Sequence, residues 1–481
     1  MMRSVAGKMI PLLRIFFFGA LSVAAQVHKP NVLLLCVDDL RMDGDSIGMS
    51  FAITPNMDRL AAQGRTFNRH FANAPTCGAS RYTMLTGRYG ATGNHALWAR
   101  SKKMAKGDEV VPPSMPEWFR INGYTAVSIG KVSHTPGGLG GKEFNDPNII
   151  EMPRAWDEVI MPVGPWLTPK GAMHGLAHGA THKLVKGSLH VFEAVEGPDD
   201  IYHDGLITDD ALQKLDDLAS DSEKPFFLAV GLIKPHLPFG APKKYLDLYE
   251  GVELPPIAHP EKPEGLSTWY ESDEFMRYDR WDRDPRTDPD FADDVRRHYA
   301  ACVSYADAQI GRLVAKLKET GADKNTVIVV WGDHGWNLGE HHIWGKHNLF
   351  DEGLHSPLIV VSPEVKEPGK PSNAIVETLD LFPTVCELAG LEIPGFVEGA
   401  SLVPQLMDPD IKGRSAIAYW REVQSIRTKR YRLVLHPDGQ KELYDHHSAE
   451  KETRNVVSQY PEVAVDLEKK LKTRLPERRW W

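Results

Sequence analysis

Four apolar, β-branched-rich runs, at residues 31–37, 125–129, 225–230 and 326–331, limit what this chain can fold into more than any other feature. Each is continuously apolar rather than alternating, the pattern of a strand buried on both faces of a parallel sheet. Segments of helical spacing, such as 56–63 and 306–318, lie between them. Strand and helix therefore alternate as in a doubly wound α/β sheet. Each run leads straight into polar residues: Asp38 and Asp39, Lys131 with His134, Lys234 with His236, and Asp333 with His334. Ligands of open α/β sheets bind beyond the carboxyl ends of the strands, so these four clusters are expected to converge on one site.

The length of 481 residues suits one large domain and a smaller one. A main domain is expected over residues 28–400. Beyond it, 416–420, 425–428, 431–435 and 441–444 read as short strands, with Pro437-Asp438-Gly439 as a turn. Residues 462–475 read as a closing amphipathic helix, so a small α+β subdomain is expected over 412–481. The stretch 135–204, rich in glycine, proline and histidine, reads as extended loops over the site.

At the N-terminus Arg3, Lys8 and Arg14 precede an apolar run at 15–21, and Val23-Ala24-Ala25 follow it. That is the layout of a signal peptide over 1–25, which implies export to the periplasm or the cell exterior. The run is shorter than the ~20 residues that span a bilayer, and no later run is long enough, so stable membrane insertion is not expected. The net charge of −9 on average repels polyanions, and no basic stripe offers a nucleic-acid site. An anionic ligand must therefore meet a local positive site. Four cysteines in so long a chain do not make a disulfide framework. Cys36, Cys302 and Cys386 lie in apolar or helical contexts and read as buried thiols.

Asp38, Asp39, Asp333 and His334 bring three carboxylates and an imidazole to two strand ends. Adjacent aspartates after an apolar strand are costly unless neutralised, and a hard divalent cation would neutralise them. The oxygen-rich set favours Ca²⁺, with Mg²⁺ as the alternative. Cys77 differs from the other cysteines in its polar flanks, Pro75-Thr76-Cys77-Gly78-Ala79-Ser80-Arg81. The run from Ser80 reads as a helix, which places Cys77 just before a helix N-terminus, where an anion is favoured.

Cys77-Gly78-Ala79-Ser80-Arg81, continuing to Leu85-Thr86-Gly87-Arg88, resembles the sulfatase signature Cys-x-Pro-x-Arg, whose cysteine is oxidised to formylglycine after synthesis. Ala79 stands where that signature has proline, so either the formylglycine-generating maturase accepts alanine or Cys77 stays a thiol. Further segments are similar to those of iduronate-2-sulfatases. They are Gly130-Lys131-Val132 with His134, Phe227 to Gly231, Lys234-Pro235-His236, and Asp333-His334-Gly335-Trp336 with Leu338-Gly339-Glu340-His341. The resemblance runs from about Asn31 to the C-terminal helix.

What the resemblance implies is an alkaline-phosphatase-like α/β fold, with a large mostly parallel sheet flanked by helices and a smaller C-terminal antiparallel sheet and helix. It implies a sulfuric ester hydrolase acting on a sulfated glycan or sugar, with a metal held by Asp38, Asp39, Asp333 and His334 and a formylglycine derived from Cys77. Hydrated formylglycine would attack sulfur with one hydroxyl, and Arg81 would orient it. Lys131 and Lys346 would bind sulfate oxygens. His236 would protonate the leaving oxygen, and His134 would take the proton of the second hydroxyl. Trp336 is a candidate for the sugar subsite, and the basic segment of His174, His178, His182, Lys183, Lys186 and His190 is a candidate contact for a polyanionic chain. Two other readings are a formylglycine-dependent phosphodiester or phosphonate monoester hydrolase, and a non-catalytic glycan-binding protein with an unoxidised Cys77.

Overall fold

A computed structural model describes residues 29–107, 110–183, 185–221, 223–263 and 271–475. The expected signal peptide at 1–25 lies outside the described residues. In chain order the elements that position the site begin with β1 (Asn31–Val37), α1 (Pro55–Gln63), β2 (Arg65–Phe71) and α2 (Cys77–Thr86). They continue with β3 (Thr125–Gly130), β4 (Glu158–Ile160), α3 (His203–Ser220), β5 (Phe226–Leu232), α4 (Pro289–Glu319) and β6 (Thr326–Gly332). The main sheet is completed by β7 (Leu358–Val361) and β8 (Ser372–Glu377), with α5 (Leu381–Leu388) after it.

Eight strands form the sheet in the order β8-β2-β7-β6-β1-β5-β3-β4. All neighbouring pairs are parallel except the two made by β7, so the sheet is mostly parallel with a single reversed strand. The four apolar runs recognised in the sequence are the adjacent central strands β6, β1, β5 and β3. Their side chains alternate between two cores. Leu33, Leu35, Val230 and Val330 pack with Ile207 of α3 and Leu313 of α4, whereas Val32, Leu34, Ala229 and Val329 pack with Met84 of α2 and Phe382 of α5. Burial on both faces is why these strands show no polar alternation. Cys36, Cys302 and Cys386 are buried free thiols, and burial pushes each up to about 12.

The expected helix at 306–318 is the second half of α4, a helix of 31 residues that starts at Pro289. Asp288 caps it, accepting the Phe291 N–H at 3.0 Å. The segment 135–204 is not only loops: it holds short strands at Asp146–Ile150 and Phe192–Val195 and a helical turn at Pro169–Met173. After the main sheet come β9 (Ala416–Trp420), β10 (Val423–Arg427), β11 (Tyr431–Leu435), β12 (Lys441–Asp445) and α6 (Pro461–Arg474), with the four strands in one antiparallel sheet in sequence order. Its core of Ile417, Ile426, Leu433 and Leu467 is continuous with Ala74 and Ala79 of the main domain. Buried Glu377, ending β8, accepts the Ile417 N–H at 2.7 Å and pairs with Arg474, so the two sheets are fastened by charge as well as packing.

At the carboxyl ends of β5 and β3 the backbones approach closely. Lys131 N donates to Gly231 O at 2.9 Å, and a Cβ on Gly231 would meet Lys131 O at 2.0 Å. Gly231→Ala is therefore expected to lower unfolding free energy by roughly 1–3 kcal/mol in urea titrations, because the two strand ends must part. An unchanged midpoint would show that this close approach is not required.

Candidate active site

The end of β1 delivers Asp38 and Asp39, and the end of β6 delivers Asp333. The backbone ties them together: Asp333 N donates to Val37 O at 3.2 Å, and Asp39 N to Asp333 Oδ1 at 2.9 Å. Arg81, on the second turn of α2, reaches under these ends. Its Nε donates to Asp333 Oδ2 and its Nη2 to Asp38 Oδ1, both at 3.0 Å, while Nη1 donates to the carbonyls of Lys131 and Val132. One guanidinium thus holds the ends of β1, β6 and β3. Lys131 pairs with Asp38 Oδ2, and Lys346 Nζ lies 3.0 and 3.1 Å from the two oxygens of Asp39. All of these groups are buried.

The carboxylates respond differently to this burial. Although burial raises Asp38, Lys131 and Arg81 hold its carboxyl well below the usual range. Asp39 is driven well above that range by burial, which Lys346 alone does not offset. Further positive charge is therefore wanted beside Asp39. Ligand atoms of Asp38, Cys77, Asp333 and His334 lie within 4.8 Å of one another. Asp39 Oδ1 is 3.4 Å from His334 Nε2. Three buried carboxylates and one imidazole fit a hard divalent cation. His334, which loses proton affinity through burial but gains more from Asp333 and Cys77, is pushed up to about 10. A metal would take that proton's place.

Cys77 is the first residue of α2 rather than the residue before it, with Thr76 at the N-cap position. Its Sγ is 3.3 Å from His334 Nε2, 3.4 Å from Lys346 Nζ and 4.0 Å from Asp39 Oδ1. The turn is tight: a Cβ on Gly78 would meet Asn94 Cα at 2.3 Å, and Asn94 Oδ1 accepts from Gly78 N at 2.9 Å and from Thr76 Oγ1 at 2.8 Å. Ala79 is buried against the C-terminal sheet. A side chain at 77 thus faces the positive end of a helix and two further cationic groups.

A cleft of about 1050 Å³ opens onto Cys77 and is also lined by Lys346, His134 and His236. His236 Nδ1 donates to Leu237 O at 2.7 Å, which leaves Nε2 facing Glu274 Oε1 at 3.5 Å. Burial, then Lys346 and Lys131, holds His236 well below the usual imidazole value. Burial and Lys131 bring His134 down to about 4, and its buried Nδ1 has no hydrogen-bond partner among the described residues. Both rings are therefore neutral at rest and able to accept a proton.

Two residues expected to meet a substrate are placed otherwise. Lys131 is enclosed below the cleft with its ammonium on Asp38. Trp336 is fully buried behind Lys346, with Nζ 5.3 Å from its ring centroid, and does not line the cleft. Of the histidine-rich segment, His174, His182 and Lys186 line the cleft, whereas His178, Lys183 and His190 do not. The sequence reading missed Asn94, Glu274 and Arg277, and also Trp420 and Arg421, by which the C-terminal sheet joins the wall. No spacing or composition singles out these five.

The family model described as Sulfatase matches residues 30–391, and that described as N-sulphoglucosamine sulphohydrolase, C-terminal, matches residues 339–479. A sulfatase of Formosa agariphila is 30% identical over 462 residues, which cover 91% of this chain and 85% of that protein. The iduronate 2-sulfatase of Homo sapiens is 32% identical over 405 residues, 76% of this chain and 70% of that protein. Among solved structures, the phosphonate monoester hydrolase of Silicibacter pomeroyi is similar with a TM-score of 0.70 at 26% identity, covering 93% of this chain and 94% of its own.

Arg81 compensates two buried carboxylates at once. Arg81→Leu is expected to cost about 3–5 kcal/mol in denaturant unfolding without divalent cations, because Asp38 and Asp333 would lose a shared partner. A loss below about 1 kcal/mol would show that the remaining cations suffice.

Proposed function

This chain belongs to the sulfatase family and is a sulfuric ester hydrolase, and from that premise we propose that its substrate is a sulfated carbohydrate, in the manner of iduronate 2-sulfatase. The observation that carries this reading is Cys77 Sγ at the start of α2, between Lys346 Nζ and His334 Nε2 and above three buried aspartates. A cleft of about 1050 Å³ is ample for a sugar unit with its neighbours. The proposal includes export through the leader at 1–25, a maturase that accepts Ala79, and no partnership with nucleic acid. Among the described residues no helix is long and apolar enough to cross a membrane.

The family implies a formylglycine and a divalent metal. Asp38, Asp39, Asp333 and His334 would hold the metal, and the oxygen-rich set favours Ca²⁺ over Mg²⁺. The formylglycine would supply a hydrated aldehyde as nucleophile, and the metal a Lewis acid for the ester oxygens. The chain's own residues do the rest. Arg81 keeps three strand ends in register beneath residue 77, and Lys131 offsets the charge of Asp38 so that an anion can approach. Lys346 faces the cleft and balances charge that grows on the sulfuryl oxygens. An ester anion beside Lys346 also weakens the depression of His236, so that Nε2 can take a proton and deliver it to the leaving sugar oxygen. His134, whose buried Nδ1 has no partner among the described residues, would take the proton that leaves residue 77.

A second reading, a formylglycine-dependent phosphonate monoester or phosphodiester hydrolase, is supported by the likeness to the Silicibacter pomeroyi enzyme. Steady-state turnover of an aryl sulfate and a panel of sulfated uronic acids against an aryl phosphodiester separates the two. The sulfates are expected to be favoured, with turnover abolished by Cys77→Ala. A preference for the phosphodiester would favour the second reading. Mass spectrometry of the peptide holding residue 77 is expected to show loss of the thiol mass. An intact thiol with no turnover would point to a glycan-binding protein.

A further inference from the structure

A negative side chain lines the cleft beside the groups assigned to the anion. Glu274, on the short helix Asp273–Met276, places Oε1 3.5 Å from His236 Nε2 and Oε2 3.6 Å from Lys346 Nζ. That ammonium is also 3.4 Å from Cys77 Sγ. The carboxylate and the reacting side chain therefore flank one cation. Packing keeps Glu274 in this position. Phe275 is buried against Trp344 with ring centroids 5.8 Å apart, and Trp344 N donates to Ser272 Oγ at 2.7 Å. Lys346 follows Trp344 by two residues, so the carboxylate and the ammonium are fastened to the same stretch. Burial raises Glu274, yet Lys346, His347 and His174 together hold it below its ordinary value, and it stays charged.

The proton and charge roles described above leave Glu274 unused, and a carboxylate facing an anion site is unfavourable unless it discriminates. We propose that Glu274 selects the substrate by charge: it admits a monoanionic sulfate ester and repels dianions, namely phosphate monoesters and the inorganic sulfate product. The proposal rests on the sulfohydrolase reading and deepens it. A sulfate monoester carries one negative charge, whereas a phosphate monoester of the same tetrahedral shape carries nearly two at neutral pH. Shape cannot tell them apart in a cleft this open, but a fixed charge a few ångströms away can, because the repulsion grows with ligand charge. Hydrolysis turns the ester monoanion and water into an alcohol, a proton and sulfate dianion. The product thus meets more repulsion than the substrate did, which favours its departure.

The test compares mature wild-type enzyme with Glu274→Gln and with Glu274→Asp, which keeps the charge. Substrates are p-nitrophenyl sulfate, p-nitrophenyl phosphate as the dianion, and bis-p-nitrophenyl phosphate as a second monoanion. Glu274→Gln is expected to raise the ratio of kcat/KM for the phosphate monoester over the sulfate at least about tenfold, with the phosphodiester ratio unmoved. Calorimetry is expected to show inorganic sulfate binding more tightly to Glu274→Gln than to wild type, a readout independent of turnover. Glu274→Asp is expected to keep the wild-type ratio. Should Glu274→Gln not fold, Glu274→Ala is expected to shift ratio and affinity in the same direction. A ratio changed less than about threefold overturns the proposal. So does a variant that only slows sulfates with poor leaving groups, which would make Glu274 a positioning residue for His236. If wild type prefers the phosphodiester to the sulfate, the sulfohydrolase reading fails, and the monoanion-to-dianion ratio still tests Glu274.

Discussion

Everything at this site depends on Arg81 being able to satisfy three strand ends at once. Burying several carboxylates in a protein interior is strongly unfavourable, and partners with good geometry must be present before the sheet can close over them. The guanidinium does this with directional hydrogen bonds to Asp38, Asp333 and the backbone at 131–132. It does so because α2 starts where it does. The tight turn at Thr76-Cys77-Gly78, pinned by Asn94, sets the helix so that its first residue and its fifth face the same cluster. The element that presents residue 77 is thus also the one that makes the aspartates tolerable.

Arg81, Lys131 and Lys346 stabilise the aspartates unevenly, since Asp38 falls well below the ordinary carboxylate range while Asp39 rises above it. The shortfall lies on the side of Asp39, next to His334 and Cys77. In the proposed reading a cation sits there, and an anionic ester approaches residue 77 at the same place. Cation, helix terminus and Lys346 would then act on one small volume, while Glu274 marks its outer limit. An acidic protein can in this way hold an anion at one point of its surface.

Much of this was legible in the sequence because strand ends carry chemistry in this class of fold. The apolar runs at β1, β3, β5 and β6 are unambiguous, and the polar residues that follow them meet at one site except Lys234, whose ammonium turns away and donates to the carbonyls of His236 and Pro238. Strand β2 was not legible: Arg65, Asn68, Arg69 and His70 break its apolar pattern, and Arg65 is buried because the carbonyls of Lys366, Glu367, Lys370, Gln405 and Leu406 accept its hydrogens. Sequence proximity to the aspartates also says nothing about direction: Trp336, a candidate for the sugar subsite, is buried behind Lys346. Glu274 and Arg421 come from segments without periodicity or motif, and Trp420 ends a strand that is legible but whose place at the cleft is not. Only the folded chain brings them to the cleft.

The measurement closest to the central claim is a crystal structure of the mature protein grown with calcium, with an anomalous difference map. One strong peak is expected, bounded by the carboxylates of Asp38, Asp39 and Asp333 and by His334, directly beside residue 77. A map without a peak there, with Lys346 still paired to Asp39, would contradict the idea that the strand-end cluster is built to hold a cation.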